Sequence, residues 1–321
     1  MAMDMKEKSR FIQDTFDEIH KVIIGQDDLI KKMMVALLAD GHVLVEGFPG
    51  LGKTLAIKSL AASLNTAFKR IQFTPDMLPA DVVGTQIYNP KEATFSVKKG
   101  PVFTNILLAD EINRAPSKVQ SALLEAMAER QVTLGDTTYS LDKPFLVLAT
   151  QNPIEQEGTY PLPEAQMDRF MLKVTVGYPD KKEERNILEK MGKINPDQTV
   201  AQVTSISTLL EARKIVDEIY ISDELKDYIV DIVHATRKES AVEGLKNVIE
   251  CGASPRATIA LIVTAKALAF IEGRDHVRSN DIKKMAYDVL RHRIIISYEG
   301  EAEEMTSEKV IEKILSTLPT P

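Results

Sequence analysis

The stretch Gly47–Thr54, reading GFPGLGKT, constrains this chain more than any other. It follows the apolar run Val43-Leu44-Val45 and leads into Leu55-Ala56-Ile57-Lys58-Ser59-Leu60, whose composition is helical. A buried strand, a glycine-rich turn and a helix start, with the spacing Gly47-x4-Gly52-Lys53-Thr54, form the context a phosphate-binding loop requires. Glycines let backbone N–H groups close around phosphates, and the helix N-terminus adds a partial positive charge. Lys53 can reach the β- and γ-phosphates, and the Thr54 hydroxyl can ligate magnesium. The expected contacts to a nucleoside triphosphate are Gly47, Pro49, Gly50, Leu51, Gly52, Lys53, Thr54 and Leu55.

The rest of the chain is consistent with a layered α/β fold. Helical periodicity over Phe11–Val22 and from Asp27 to about Ala39 precedes the loop strand. Further strands are predicted at Lys69–Gln72, Ile106–Ala109, Phe145–Thr150 and Phe170–Val176, with a helix over Pro116–Glu129. Strands alternating with helices predict a three-layer αβα core with a mostly parallel sheet. Two hairpins interrupt the alternation: Thr85–Tyr88 with Thr94–Val97, and Gln131–Leu141 turning at Gly135-Asp136. Gly177-Tyr178-Pro179-Asp180 reads as a linker, which divides the chain into a nucleotide-binding core, 1–179, and a helical domain, 180–321. Helices are predicted there at Lys181–Met191, Ser207–Ile219, Asp223–Lys238, Pro255–Glu272 and Asn280–Arg293, with no strand and a solvated acidic loop at Glu299–Glu304.

Asp110-Glu111 ends the Ile106–Ala109 strand, at the sheet edge where α/β proteins bind ligands. Asp110 suits a magnesium ligand, and Glu111 suits the base that polarises water for attack on the γ-phosphorus. A glutamate in that place implies hydrolysis of the nucleotide.

Four ordered motifs carry a resemblance: ILLADEINRAP at 106–116, ATQNPIE at 149–155, YPLPEAQMDRF at 160–170 and GASPRAT at 252–258. Together they resemble the MoxR family of AAA+ ATPases, over nearly the whole chain from Ile23-Ile24-Gly25-Gln26 to Arg291-His292-Arg293. The resemblance implies a P-loop core followed by an all-α lid, with ATP and Mg2+ as cofactors. It implies that Asn152 helps place the attacking water, as sensor 1, and that Arg169 serves a neighbouring subunit's γ-phosphate, as the arginine finger. It implies that Arg256, as sensor 2, contacts the nucleotide of its own subunit, and that Ile23, Ile24 and Gly25 pack around adenine. Arg256 already stands out locally: Ser254-Pro255 predict a helix start, and a cation in the first turn opposes the macrodipole by roughly 0.3–1 kcal/mol.

The two hairpins resemble those of the helix-2-insert group, which includes magnesium chelatase subunits. That likeness implies a homo-hexameric ring, and the MoxR resemblance implies a chaperone-like ATPase that remodels or matures protein complexes, with a von Willebrand factor A domain protein as partner. Arg114 could face a subunit interface. Lys98, Lys99 and Arg130, at the hairpin bases, read as surface-solubilising residues, and Arg291-His292-Arg293 as cations favoured at a helix end.

A net charge of −7 argues against the alternative of a nucleic-acid-stimulated motor. The single cysteine, Cys251, makes no internal disulfide, which fits a cytoplasmic protein. Ile259–Ile271 is too short for the roughly 20 apolar residues of a membrane span, and the charged N-terminus lacks a signal-peptide core, so no membrane insertion is expected. The five histidines have no metal-ligand spacing.

Overall fold

The computed structural model describes residues 5–152, 159–237 and 242–321. Helices α1 (Met5–His20) and α2 (Asp27–Leu38) precede β1 (Val43–Gly47). Next come α3 (Lys53–Ser63), β2 (Phe68–Gln72), α4 (Pro79–Val83), the hairpin β3 (Gly84–Asn89) with β4 (Thr94–Lys99), and β5 (Ile106–Asp110). A 3-10 turn at Ile112–Arg114 leads to α5 (Ser117–Glu129), the hairpin β6 (Gln131–Leu134) with β7 (Thr137–Ser140), β8 (Leu146–Gln151), α6 (Glu164–Met167) and β9 (Leu172–Val176). Beyond lie α7 (Lys181–Met191), α8 (Ile206–Glu218), α9 (Asp223–Ala235), β10 (Ile249–Cys251), α10 (Pro255–Ile271), α11 (Ser279–Leu290), β11 (Ile295–Ile296), α12 (Tyr298–Ala302) and α13 (Ser307–Thr317).

The central sheet has the order β2-β5-β8-β1-β9, and all its pairings are parallel. Side chains alternate between its two faces, so neighbouring residues of one strand enter different cores. Val43, Val45, Ile106, Leu108, Leu146 and Leu148 belong to one apolar cluster. Leu44, Leu107, Ala109, Val147 and Ala149 belong to the other, which α5 completes with Val119, Leu123 and Met127. The first cluster does not stop at the sheet. It runs through α1, α2 and α3 into the C-terminal helices, from Ile12 to Ile314, so α1 and α2 tie the C-terminal helices to the sheet.

His42 pins the start of β1. Its Nδ1 accepts from Val147 N at 3.0 Å, which leaves Nε2–H to donate to the Met127 carbonyl at 3.2 Å. Burial, seconded by the Arg130 charge, pulls its pKa from 6.5 down to about 3, so the ring is neutral in the fold.

The C-terminal part departs from its predicted purely helical character. β10 and β11 form an antiparallel ribbon, too short for a period-2 pattern to register in the sequence. The acidic stretch expected as a loop is largely α12, N-capped by the Ser297 hydroxyl, which accepts from Gly300 N at 3.1 Å. α13 is a further helix, burying Val310, Ile311 and Ile314. α9 ends at Ala235 rather than Lys238, and Lys238 lies outside the described residues. Among the described residues no helix is long and apolar enough to cross a membrane.

Candidate active site

The C-terminal ends of β1, β5 and β8 meet around a cavity of about 350 Å³. Gly47, Pro49, Gly50, Leu51, Gly52, Lys53, Thr54 and Leu55 form one wall, and Asp110, Glu111 and Asn152 face them. The loop holds the backbone that glycine allows: Gly50 has φ +83° and Gly52 φ +74°, and a Cβ at either would meet nothing within 4 Å. The loop therefore opens onto free space of the kind a triphosphate would fill, with α3 starting at Lys53. Lys53 Nζ donates to the Gly47 carbonyl at 2.6 Å. Its pKa is lowered, mainly by burial and against the pull of Asp110 and Glu111.

The acidic pair is held by groups that the sequence pattern does not single out. Thr150 Oγ1 donates to Asp110 Oδ1 at 2.5 Å and accepts from Glu111 N at 2.9 Å. Arg70 Nη2 donates to Asp110 Oδ2 at 2.6 Å. Glu111 sits at φ 57°, ψ 50°, a left-handed conformation that costs a non-glycine residue roughly 1–2 kcal/mol. The Thr150 bond and the Arg114 guanidinium, 3.0 Å from the Glu111 carboxylate, hold it there. Arg114 thus engages the acidic pair of its own chain. Arg70 and Thr150 come to the site through pairing of β2 and β8 with β5. The only local signal is a cation in the strand beside an acid-ended one, and a hydroxyl two residues before Asn152.

Asn152 is 9% exposed and follows β8 on the cavity wall, while Pro153–Glu155 of the same motif lie outside the described residues. The Thr54 hydroxyl and the Asp110 carboxylate lie on one cavity. That oxygen pair suits magnesium, which takes one or two protein oxygens and completes its shell with phosphate and water.

A second, mostly apolar cavity of about 210 Å³ adjoins the first through Gly50, Leu51, Gly52 and Leu55. Val22, Ile23, Ile24, Ile187 and Met191 line it, and Glu183 contributes the one acidic side chain. Gly25 does not line it; its φ of +67° turns the backbone against the Glu183 carboxylate. An apolar slot continuous with a phosphate-sized polar one is the shape of a nucleotide site.

Arg169 and Arg256 are elsewhere. Both line a separate cleft of about 250 Å³ with Asp40, His42, Asp168 and Arg293. Asp40 and His42 precede β1, and Asp168 precedes β9, so this cleft lies at the N-terminal edge of the sheet. The phosphate loop follows β1, at the opposite edge. A five-residue strand spans roughly 16 Å. Arg256, expected beside the nucleotide of its own subunit, therefore lies away from the phosphate loop of its own chain. Its Nη1 instead lies 3.4 Å from Asp168 Oδ2, and that acid answers the unfavourable first-turn charge. Arg169 is exposed, and among the described residues its side chain has no hydrogen-bonding partner.

Two readings of surface cations are also corrected. Arg130 is not a solubilising residue. It donates to the Asp40 and Phe145 carbonyls and lies over the Phe145 ring, 5.7 Å from its centroid. Beyond the end of α11, His292 and Arg293 are buried rather than solvated. Lys99 is exposed but sits over the Phe103 and Tyr139 rings, 4.8 and 5.0 Å from their centroids.

The chain is similar to known proteins over nearly its whole length. The ATPase family associated with various cellular activities (AAA) matches residues 42–172, and the AAA lid domain matches residues 245–314. Chaperone MoxR1 of Mycobacterium tuberculosis is 48% identical over 95% of this chain and 81% of its own length. Protein YeaC of Bacillus subtilis is 44% identical over 95% of this chain and 93% of its own. A crystal structure of a provisionally assigned ATPase from Cytophaga hutchinsonii superposes with a TM-score of 0.93 at 49% identity, covering 99% of this chain and 97% of that one.

Proposed function

The chain belongs to the MoxR family of AAA+ ATPases, and on that footing we propose that it hydrolyses ATP to ADP and phosphate as a magnesium-dependent, ring-forming remodeller of protein complexes. The observation that carries the proposal is the split between the two sheet edges. The C-terminal edge gathers Lys53, Thr54, Asp110, Glu111 and Asn152, while Arg169 and Arg256 stand at the other. A site without Arg169 and Arg256 and a surface presenting both are complementary halves, and a heterologous, head-to-tail contact between copies joins such halves into a closed ring.

In this reading Glu111 polarises the attacking water, with Thr150 fixing its backbone and Asn152 offering an amide that can bond both water and phosphate. Lys53 and the loop amides would hold the phosphates, and Thr54 with Asp110 would hold magnesium, which would supply charge neutralisation on the transferred phosphoryl group. Ile23 and Ile24 supply the apolar slot for adenine, with Gly25 shaping its rim. Arg169 and Arg256 both serve the neighbour's nucleotide. Residues 1–179 form the nucleotide-binding unit and 180–321 the lid, and six copies close the ring.

For the remodelling activity the support is a relative named as a chaperone and the β3–β4 hairpin. That hairpin carries Tyr88 and Phe95 at 52% and 68% exposure, with ring centroids 5.1 Å apart. A von Willebrand factor A domain protein as partner follows the family resemblance. The test is steady-state phosphate release from Mg-ATP over a range of protein concentrations. Specific activity that rises as copies assemble supports the reading. Absence of release at every concentration overturns it.

A further inference from the structure

We infer that Arg293 and Asp168 form a clamp between lid and core that positions the arginine finger, so that Arg293 sets the rate at the neighbouring subunit's site and not at its own. The inference rests on the reading of Arg169 as a residue acting in trans, and adds a positioning residue to it.

Arg293 follows α11, and its side chain is 3% exposed. Its Nε donates to Asp168 Oδ1 at 2.7 Å. Nη2 donates to the Asp168 carbonyl at 3.2 Å and to the Phe170 carbonyl at 2.7 Å, and Nη1 donates to the Met171 carbonyl at 3.2 Å. Nη1 also bonds the Val289 carbonyl, which ties the fork to its own helix. The neighbouring His292 adds a bond from Nε2 to the Phe170 carbonyl at 3.0 Å. Two consecutive lid residues therefore grip carbonyls on both sides of Arg169, whose own side chain stays exposed.

The other carboxylate oxygen of Asp168 faces α10 of the lid. Oδ2 accepts from Ser254 Oγ at 3.2 Å, and the same hydroxyl caps the helix by accepting from Arg256 N at 3.2 Å. Arg256 Nη1 completes the set at 3.4 Å. One carboxylate thus joins the segment bearing Arg169, the first turn bearing Arg256 and the buried fork of Arg293. The Arg256 contact is 62% exposed on the arginine side and adds little energy by itself. The buried fork is different, because a planar guanidinium with fixed donors holds its acceptors to one geometry, which an ammonium cannot do. A misplacement of about 1 Å at a catalytic group can cost roughly a hundredfold in rate, so the clamp has leverage on a finger it never touches.

The test uses full-length protein carrying Arg293→Lys, which keeps the charge and loses the fork, and Asp168→Glu, which keeps the ion pair and lengthens the arm. Nucleotide affinity is read with a fluorescent ADP analogue, folding by thermal unfolding, and turnover alone and in mixtures with Lys53→Ala protein. The clamp predicts a 10- to 100-fold loss of kcat for each variant alone, with affinity within about twofold of the parent. It also predicts recovery on mixing, because Lys53→Ala subunits bring an intact finger to sites that are themselves sound. Unchanged kcat in both variants overturns the inference, as does a slow variant that Lys53→Ala subunits fail to rescue. If Arg169→Ala itself turns over normally, the finger reading fails. If Arg169→Ala is slow while Arg293→Lys and Asp168→Glu are not, only the clamp fails.

Discussion

Arg256 Nη1 lies 3.4 Å from Asp168 Oδ2, which puts a lid cation at the sheet edge opposite Lys53. A lid arginine that served its own subunit would have to approach the phosphate loop, and the phosphate cavity has no arginine from the lid. Arg256→Ala is therefore expected to leave the affinity for nucleotide within about twofold while lowering kcat. An own-subunit contact of charge-assisted strength, roughly 1.5–3 kcal/mol, would instead weaken binding more than tenfold. Titration of the variant with a fluorescent nucleotide distinguishes the two.

Glu111→Gln keeps the shape of the side chain and removes its basicity. Turnover should fall by roughly 10²–10⁴, the usual contribution of a positioned base, with ATP binding retained. Phosphate release under saturating ATP checks this, and release at the parent rate would strip Glu111 of its role.

Thr150→Val removes one hydroxyl that serves both Asp110 and Glu111. With that bond gone, the left-handed Glu111 loses its backbone anchor. The expected outcome is a kcat reduced at least tenfold with a smaller change in KM, because the lost interaction orients groups that act in the transition state. Equal loss in affinity and rate would mean that Thr150 shapes the phosphate site instead.

Stability should fall between pH 7 and pH 5. His42 is held neutral, with its pKa down to about 3, and His292 is pushed well below 6.5 by burial and then by the Arg293 charge. In the unfolded chain both protonate as pH drops through about 6.5. The unfolded state then binds more protons, so the stabilisation is full above 6.5 and drains toward pH 3. The slope is up to about 1.4 kcal/mol per pH unit for each ring. Urea unfolding at pH 7 and pH 5 checks this above the range where paired carboxylates are lost. Equal stability at the two pH values would place the rings in contact with water.

The phosphate loop and the acidic pair are legible in the sequence because each is contiguous and each ends a strand whose apolar run announces it. The hairpins are legible for a similar reason, since Gly135-Asp136 and Asn89-Pro90 mark their turns. Arg70 and Thr150 are not, because strand pairing alone decides that they face Asp110. The same holds for Arg293, whose partners include backbone carbonyls more than 120 residues away. The tripeptide Arg291-His292-Arg293 looks like any cationic helix end until the fold buries it. α13 carries an apolar spacing that fits a helix, but it follows an acidic stretch that reads as a solvated loop. The side of the molecule on which Arg256 lies is likewise a property of the fold, since a helix start says nothing about which subunit it serves.

In the proposed ring a working site takes its phosphate loop from one copy and its arginine finger from the next. Arg169→Ala protein and Lys53→Ala protein should each be nearly inactive alone. Mixed in equal amounts they should regain turnover, because roughly a quarter of the interfaces in a randomly mixed ring would pair an intact loop with an intact finger. Mixtures as inactive as either parent variant, under conditions where the two proteins are seen to assemble together, would contradict it.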